Sequence, residues 1–151
     1  MHTYSETRLM PYTLEQMFAL VLDVESYPQF LPWCLGAQVL EKKSPTCHLA
    51  KLTAGYGPFR ESFVSEVTLK SPEWIETRCV DGPFSCLVSR WDFAPEGQGC
   101  RVTFGVDFAF RSAFLNAVMG LFFHEAQRRM VLAFETRAAE LFKPAKAAGS
   151  R

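Results

Sequence analysis

Residues 100–142 change hydrophobic period once, and that change limits what the chain can become. In CRVTFGVDFAF, Val102, Phe104, Val106, Phe108 and Phe110 form an unbroken period-two stripe, which reads as a strand with one covered face. Arg101, Thr103 and Asp107 stand opposite, so the strand belongs to an antiparallel sheet wet on one side. From Ser112, a good N-cap, the repeat becomes helical. Residues 113–142 contain no proline and set Phe114, Leu115, Val118, Met119, Phe122, Phe123, Ala126, Met130, Ala133, Phe134, Leu141 and Phe142 at three- and four-residue steps. This pattern predicts one long amphipathic helix of roughly eight turns. Its wet face carries Asn116, Gln127, Arg128, Arg129 and Glu135, and Lys143-Pro144 ends it.

The rest of the chain supplies the sheet that such a helix would cover. Residues 3–10 read as a first strand, closed by Pro11. Thr13 with Gln16 forms a capping box for a helix near 14–22, whose Met17, Phe18, Val21 and Leu22 share a face. After residue 36, AQVLEKK and CHLAKLTA are joined by SP, followed by FRESFVSEVTL (59–69), WIETRCV (74–80) and FSCLVSRWDFA (84–94). SPE, DGP and PEGQG supply the turns. Phe59, Phe63, Val67 and Leu69 share a face with Glu61 and Ser65 between them. The order is a strand, two short helical elements, about six strands in meander and one long helix, an α+β architecture in a single domain.

No helix-sized apolar run reaches membrane-spanning length, and the N-terminus lacks the basic and apolar regions of a secretory signal. Five scattered cysteines without CxxC spacing suit free thiols in a reducing compartment, so a cytoplasmic protein is expected. Lys+Arg and Asp+Glu are both 16, which gives nucleic-acid binding by bulk charge no support. Phenylalanine is abundant, 14 of 151 residues, and suits a thick core or a lipophilic cavity.

Two features favour the cavity. The segment SYPQFLPWC (26–34) crowds Tyr27, Phe30 and Trp33 around Pro28 and Pro32, which suits a stiff element at a greasy opening or a rigid cap on the core. Alternation also turns Ser65 and Ser89 inward among apolar neighbours. Hydroxyls sit inside a dry core only with partners, whereas ligand pockets mix apolar walls with a few polar groups. Gly120 within the helix costs about 1 kcal/mol relative to alanine, so either clearance for a guest or close approach to a strand is expected there.

The combination of YPQFLPWC, VDGPF before a Trp-x-Phe strand, the VDFAF strand and a long terminal helix resembles the coenzyme-Q-binding branch of the START-like (polyketide cyclase/dehydrase) superfamily, over roughly residues 3–142. The resemblance implies a helix-grip fold: a curved antiparallel sheet of six to seven strands wrapped around a C-terminal helix, with a hydrophobic tunnel between. Residues 1–143 would form that lipid-binding domain, with 144–151 a flexible tail. It implies binding of ubiquinone or a related polyisoprenoid lipid, in support of respiratory electron transport and quinone biosynthesis. Transient contact with a membrane surface, at the inner face of the cytoplasmic membrane, would follow. A branch of the same group acts as a ribosome-association toxin that blocks subunit joining, which is the alternative; a polyketide cyclase or aromatase is a third.

In that layout the mouth falls at Phe30, Leu31 and Trp33. The strands would line the tunnel with Phe59, Phe63, Ser65, Ser89, Trp91, Phe93, Phe104, Val106 and Phe108, and the helix with Phe114, Val118, Met119, Phe122, Phe123 and Met130. Ser65, Ser89 and Tyr56 would orient the quinone ring. No catalytic residue, metal or further cofactor is expected. HEAQR (124–128) places Arg128 where the second histidine of a zinc motif must stand. Cys34 lacks a sequence neighbour to activate it. Among cyclase candidates Arg90, Glu61 and Tyr56, alternation turns Arg90 away from Trp91 and Phe93 toward solvent. Lys42, Lys43, Lys51, Arg60, Arg101, Arg128 and Arg129 would have to converge to hold a ribosomal subunit.

Overall fold

The computed structural model describes residues 1–56 and 59–143, apart from the side chains of Tyr56 and Phe59. The expected tail at 144–151 lies outside the described residues, as do Gly57 and Pro58. Strand β1 (His2–Met10) leads to helix α1 (Leu14–Leu22) and a short 3-10 helix (Val24–Gln29). The strands β2 (Cys34–Ser44), β3 (Cys47–Tyr56), β4 (Phe59–Lys70), β5 (Trp74–Asp81), β6 (Phe84–Glu96) and β7 (Gly99–Phe110) then run as a meander. Together with β1 they make one seven-stranded antiparallel sheet in the order β1-β7-β6-β5-β4-β3-β2.

Irregular pairing bends this sheet. Register shifts interrupt β4–β5 at Val64/Ser65 and β6–β7 at Phe84/Cys86, and β5 pairs with β6 only over Trp74–Arg78. Such interruptions raise twist and curvature, so the inner face becomes a cup rather than a plane. Gly82 closes the β5–β6 turn against that face, because a Cβ there would lie 2.6 Å from Phe63 Cβ. On the outer face Arg90 pairs with Asp92 and lies 4.3 Å over the Trp74 ring, so it points to solvent as alternation requires.

The capping box forms as read: Thr13 Oγ1 accepts from Gln16 N at 3.1 Å, and Gln16 Oε1 accepts from Thr13 N at 3.0 Å. Helix α1 buries Met17, Phe18, Leu20 and Val21, and its Phe18 ring meets Phe93 at 5.7 Å. Helix α1 thus packs against β5, β6 and β7.

The long terminal helix is two helices, α2 (Ala113–Gly120) and α3 (Phe123–Leu141). The break falls where Leu121 and Phe122 donate three residues back, to Val118 O at 3.2 Å and Met119 O at 3.1 Å. Gly120 marks it, and the reason is close approach to a strand residue: a Cβ there would lie 2.5 Å from Cε1 of His2 on β1. The His2 imidazole also lies with Nε2 3.0 Å from Asn116 O. Asn116 does not face solvent as its helical position suggests; its Oδ1 accepts from Phe110 N at 3.1 Å. Helix α3 buries Phe123, Met130, Val131, Phe134 and Ala138 as the roof of the cup, whereas α2 buries no residue.

Candidate functional site

Sheet and roof do not fill the space between them. A cavity of ≈ 300 Å³ remains, within the size range of small-ligand sites. Its walls come from alternate residues of β3 to β7, a consequence of period-two geometry on a concave face. Phe63, Phe84, Phe108 and Phe110 gather toward α2, with Phe84 stacked on Phe110 at 4.8 Å. Toward α1, Trp91 meets Phe104 at 4.5 Å and Phe134 of α3 at 4.9 Å. Between these aromatic ends lie Ser65, Thr77, Leu87, Ser89 and Val106. The rim is built by Pro32, Trp33, Ala54 and Gly55 on one side and by Phe122, Gln127 and Arg129 on the other.

The polar content of the wall is small and mostly neutral. Ser89 and Thr77 share a hydroxyl hydrogen bond of 2.5 Å. Arg129 is held at the rim by Glu125, whose carboxyl two arginines, Arg128 first, bring down to about 2. The Tyr27 hydroxyl turns away to donate to Val21 O, and burial pushes its pKa far above the usual phenol value. No carboxylate or imidazole lines the cavity among the described residues, and the described wall offers hydroxyls and apolar surface. Among the described residues no cluster of His, Cys, Asp or Glu could hold a metal ion. Cys34 is buried, and burial raises its thiol to about 11, the opposite of what a nucleophile needs.

Residues 10–135 match the family model described as polyketide cyclase/dehydrase and lipid transport. The chain belongs to this family. Relatives within it are the Ribosome association toxin RatA of Escherichia coli, 40% identical over 91% of this chain and 87% of that protein, and the mitochondrial Coenzyme Q-binding protein COQ10 homolog B of Xenopus laevis, 34% identical over 92% and 59% respectively. The solution structure of the 18 kDa protein CC1736 from Caulobacter crescentus superposes with a TM-score of 0.76 at 34% identity, covering 93% of this chain and 98% of that one. The aromatase/cyclase ZhuI of a Streptomyces species gives 0.83 with 99% of each chain covered, but at 14% identity the likeness is one of fold. A START superfamily protein of Mycobacterium smegmatis gives 0.81 at 20% identity, covering 94% of this chain and 100% of that one. The helix-grip α+β architecture is thus the family's.

Of the residues the sequence assigned to the tunnel of this family member, Trp33, Phe63, Ser65, Ser89, Trp91, Phe104, Val106, Phe108, Met119, Phe122, Phe123 and Met130 come together around the cavity. Five stand elsewhere. Leu31 is only 2% exposed and Phe30 packs edge-on against Phe134 at 5.1 Å under the Arg137 guanidinium, so both belong to the cap that joins the 3-10 helix to α3. Phe93 lies beyond the cavity under α1. Val118 is half-buried off the wall, and Phe114 projects into solvent, 74% exposed. The Phe59 and Tyr56 side chains lie outside the described residues. The sequence reading passed over Leu52, Phe84, Phe110 and Phe134, and it gave Gln127 and Arg129 to the wet face. Strand parity flags Leu52 and Phe110, and a four-residue step from Met130 flags Phe134. No pattern flags Gln127 or Arg129, whereas the rim residues Trp33 and Phe122 were among those assigned.

Proposed function

We propose that the protein is a noncatalytic carrier that binds ubiquinone or a related polyisoprenoid quinone in this cavity and so supports respiratory electron transport and quinone biosynthesis. The observation that carries the reading is the unfilled apolar cup of ≈ 300 Å³, in a chain one of whose relatives is named for coenzyme Q binding. Apolar surface buried by a guest contributes roughly 25 cal/mol per Å². A cavity of this size accepts a ring and the start of a prenyl chain, and the remaining tail leaves by the rim near Trp33 and Phe122. The neutral wall supports a carrier over a cyclase. Purified protein from a quinone-producing host, extracted with organic solvent, should yield a quinone by absorbance and mass; protein that neither carries nor binds one would refute the reading.

Loading and delivery at a membrane would use α2. Residues 112–123 hold no charged side chain, and Phe114 and Leu121 are 74% and 79% exposed beside the rim residue Phe122. This apolar surface is more prominent than the Trp33 edge to which the sequence pointed. Replacing Phe114 and Leu121 by aspartate removes two such anchors and should slow quinone uptake from vesicles at least about tenfold. Affinity for a detergent-dispersed short-chain quinone should stay the same; equal uptake rates would count against α2.

The second reading, action on a ribosomal subunit, is favoured by the higher identity to RatA, 40% against 34% for the coenzyme Q-binding relative. Four of the seven basic residues it would need are paired with acids, Lys43 with Glu66, Arg101 with Glu96, and Arg128 and Arg129 with Glu125, while Lys42, Lys51 and Arg60 are exposed. Co-sedimentation with ribosomal subunits, and fewer joined ribosomes on its addition, would establish this activity.

A further inference from the structure

Ser65 is polar, 2% exposed, and set in the wall of an apolar cavity. Its hydroxyl has no hydrogen-bond partner among the described residues. The enclosed polar atom without a partner among the described residues is Arg137 Nε, not Ser65 Oγ, so the Ser65 hydroxyl is open to the cavity and free to pair with whatever occupies it. Two further hydroxyls lie on the adjoining strands. Thr77 on β5 pairs in register with Val67, two residues along β4 from Ser65, and faces Ser89 on β6. The bond between Thr77 and Ser89 uses one of their two hydrogens, so one O–H of the pair remains to donate. Two donor centres therefore sit in mid-wall, flanked by Phe63 and Phe108 on one side and Trp91 and Phe104 on the other.

Resting on the carrier reading above, we propose that Ser65 with the Thr77–Ser89 pair is the seat for the oxygen-bearing ring of the guest, which enters ring first and leaves its prenyl tail toward the rim. The competing orientation puts the ring at Gln127 and Arg129. There, Arg129 is exposed and bound to Glu125. A hydrocarbon tail in mid-wall would leave Ser65 unpaired, whereas a ring with carbonyl or methoxy oxygens pairs it. The ligand class is thus a prenylated ring with acceptor oxygens. Because a hydroxyl both donates and accepts, the seat takes the quinone and, by accepting its O–H, the quinol.

The test compares a short-chain ubiquinone with squalene, a hydrocarbon of isoprene units that lacks oxygen, on wild type, Ser65→Ala, Ser65→Thr and the triple variant Ser65→Ala/Thr77→Val/Ser89→Ala. Ser65→Ala should weaken the quinone about five- to tenfold, one hydrogen bond's worth, leave squalene unchanged, and be rescued by Ser65→Thr. In infrared difference spectra the bound quinone's carbonyl band, lowered by hydrogen bonding in wild type, should return toward its free position in Ser65→Ala. If the triple variant misfolds by circular dichroism, the single variant and its carbonyl band decide. Quinone binding of equal strength in Ser65→Ala, with an unmoved band, would overturn the seat while leaving the carrier reading intact. Wild-type protein that binds no quinone would overturn both.

Discussion

Ala126→Trp should abolish quinone binding while the protein stays folded. Ala126 sits on the cavity-facing side of α3, between the buried Phe123 and Met130, and contributes a single methyl to the wall. An indole at that position occupies the void that the guest needs. Its burial replaces empty space with contacts, so stability should hold or rise by about 0.5–2 kcal/mol, as cavity-filling changes commonly do. Affinity should fall at least about a hundredfold, because the guest must then expel a packed side chain at a cost of several kcal/mol. Fluorescence titration with a short-chain ubiquinone and thermal unfolding measure both quantities. A variant that still binds stoichiometrically would show that the cavity is not the binding site.

The largest effect on folding is expected from Phe134→Ala. The Phe134 ring is 2% exposed and is met by three others: Tyr27 at 5.3 Å, Phe30 at 5.1 Å and Trp91 at 4.9 Å. These rings tie α3 to the segment 26–34 and to β6, so removing this one enlarges a cavity whose lining cannot collapse onto three bulky neighbours. The loss should be about 3–5 kcal/mol, read as a lower urea midpoint at an unchanged slope. A loss below about 1 kcal/mol would mean that the cap and roof are held by other contacts, since even a relaxed site loses more on such a truncation.

Much of the fold could be read before any coordinates, because its determinants are local. Alternation on β7, the Thr13–Gln16 box and the proline and glycine turns each act within a few residues. Parity on a strand also places Ser65, Ser89 and Trp91 on the concave side. What escaped depends on partners distant in sequence. The split at Leu121 and Phe122 is invisible in the 113–142 pattern, because apolar spacing continues across it and Gly120 is its only trace. The side chain that this glycine admits is an imidazole 118 residues earlier, at His2. Phe93 continues the stripe of Trp91, but α1, not the cavity, covers it. Phe30 and Leu31 looked like a mouth because proline-bound aromatics suit an opening; Phe30 instead packs on Phe134 of α3 and Leu31 is buried, which no short window encodes. Gln127 and Arg129 border the cavity although apolar periodicity gives them to the wet face.

The strand order has a consequence for how copies of this molecule meet. A sheet that does not close on itself ends in two borders, here β1 and β2. The β2 border is poorly suited to recruiting another strand: its pairing with β3 slips at three places, and Glu41, Lys42 and Lys43 stand exposed near its end. An incoming chain needs an even row of amides and carbonyls, and meets kinks and charge instead. The molecule can thus keep a greasy, underfilled interior without that border seeding polymerisation.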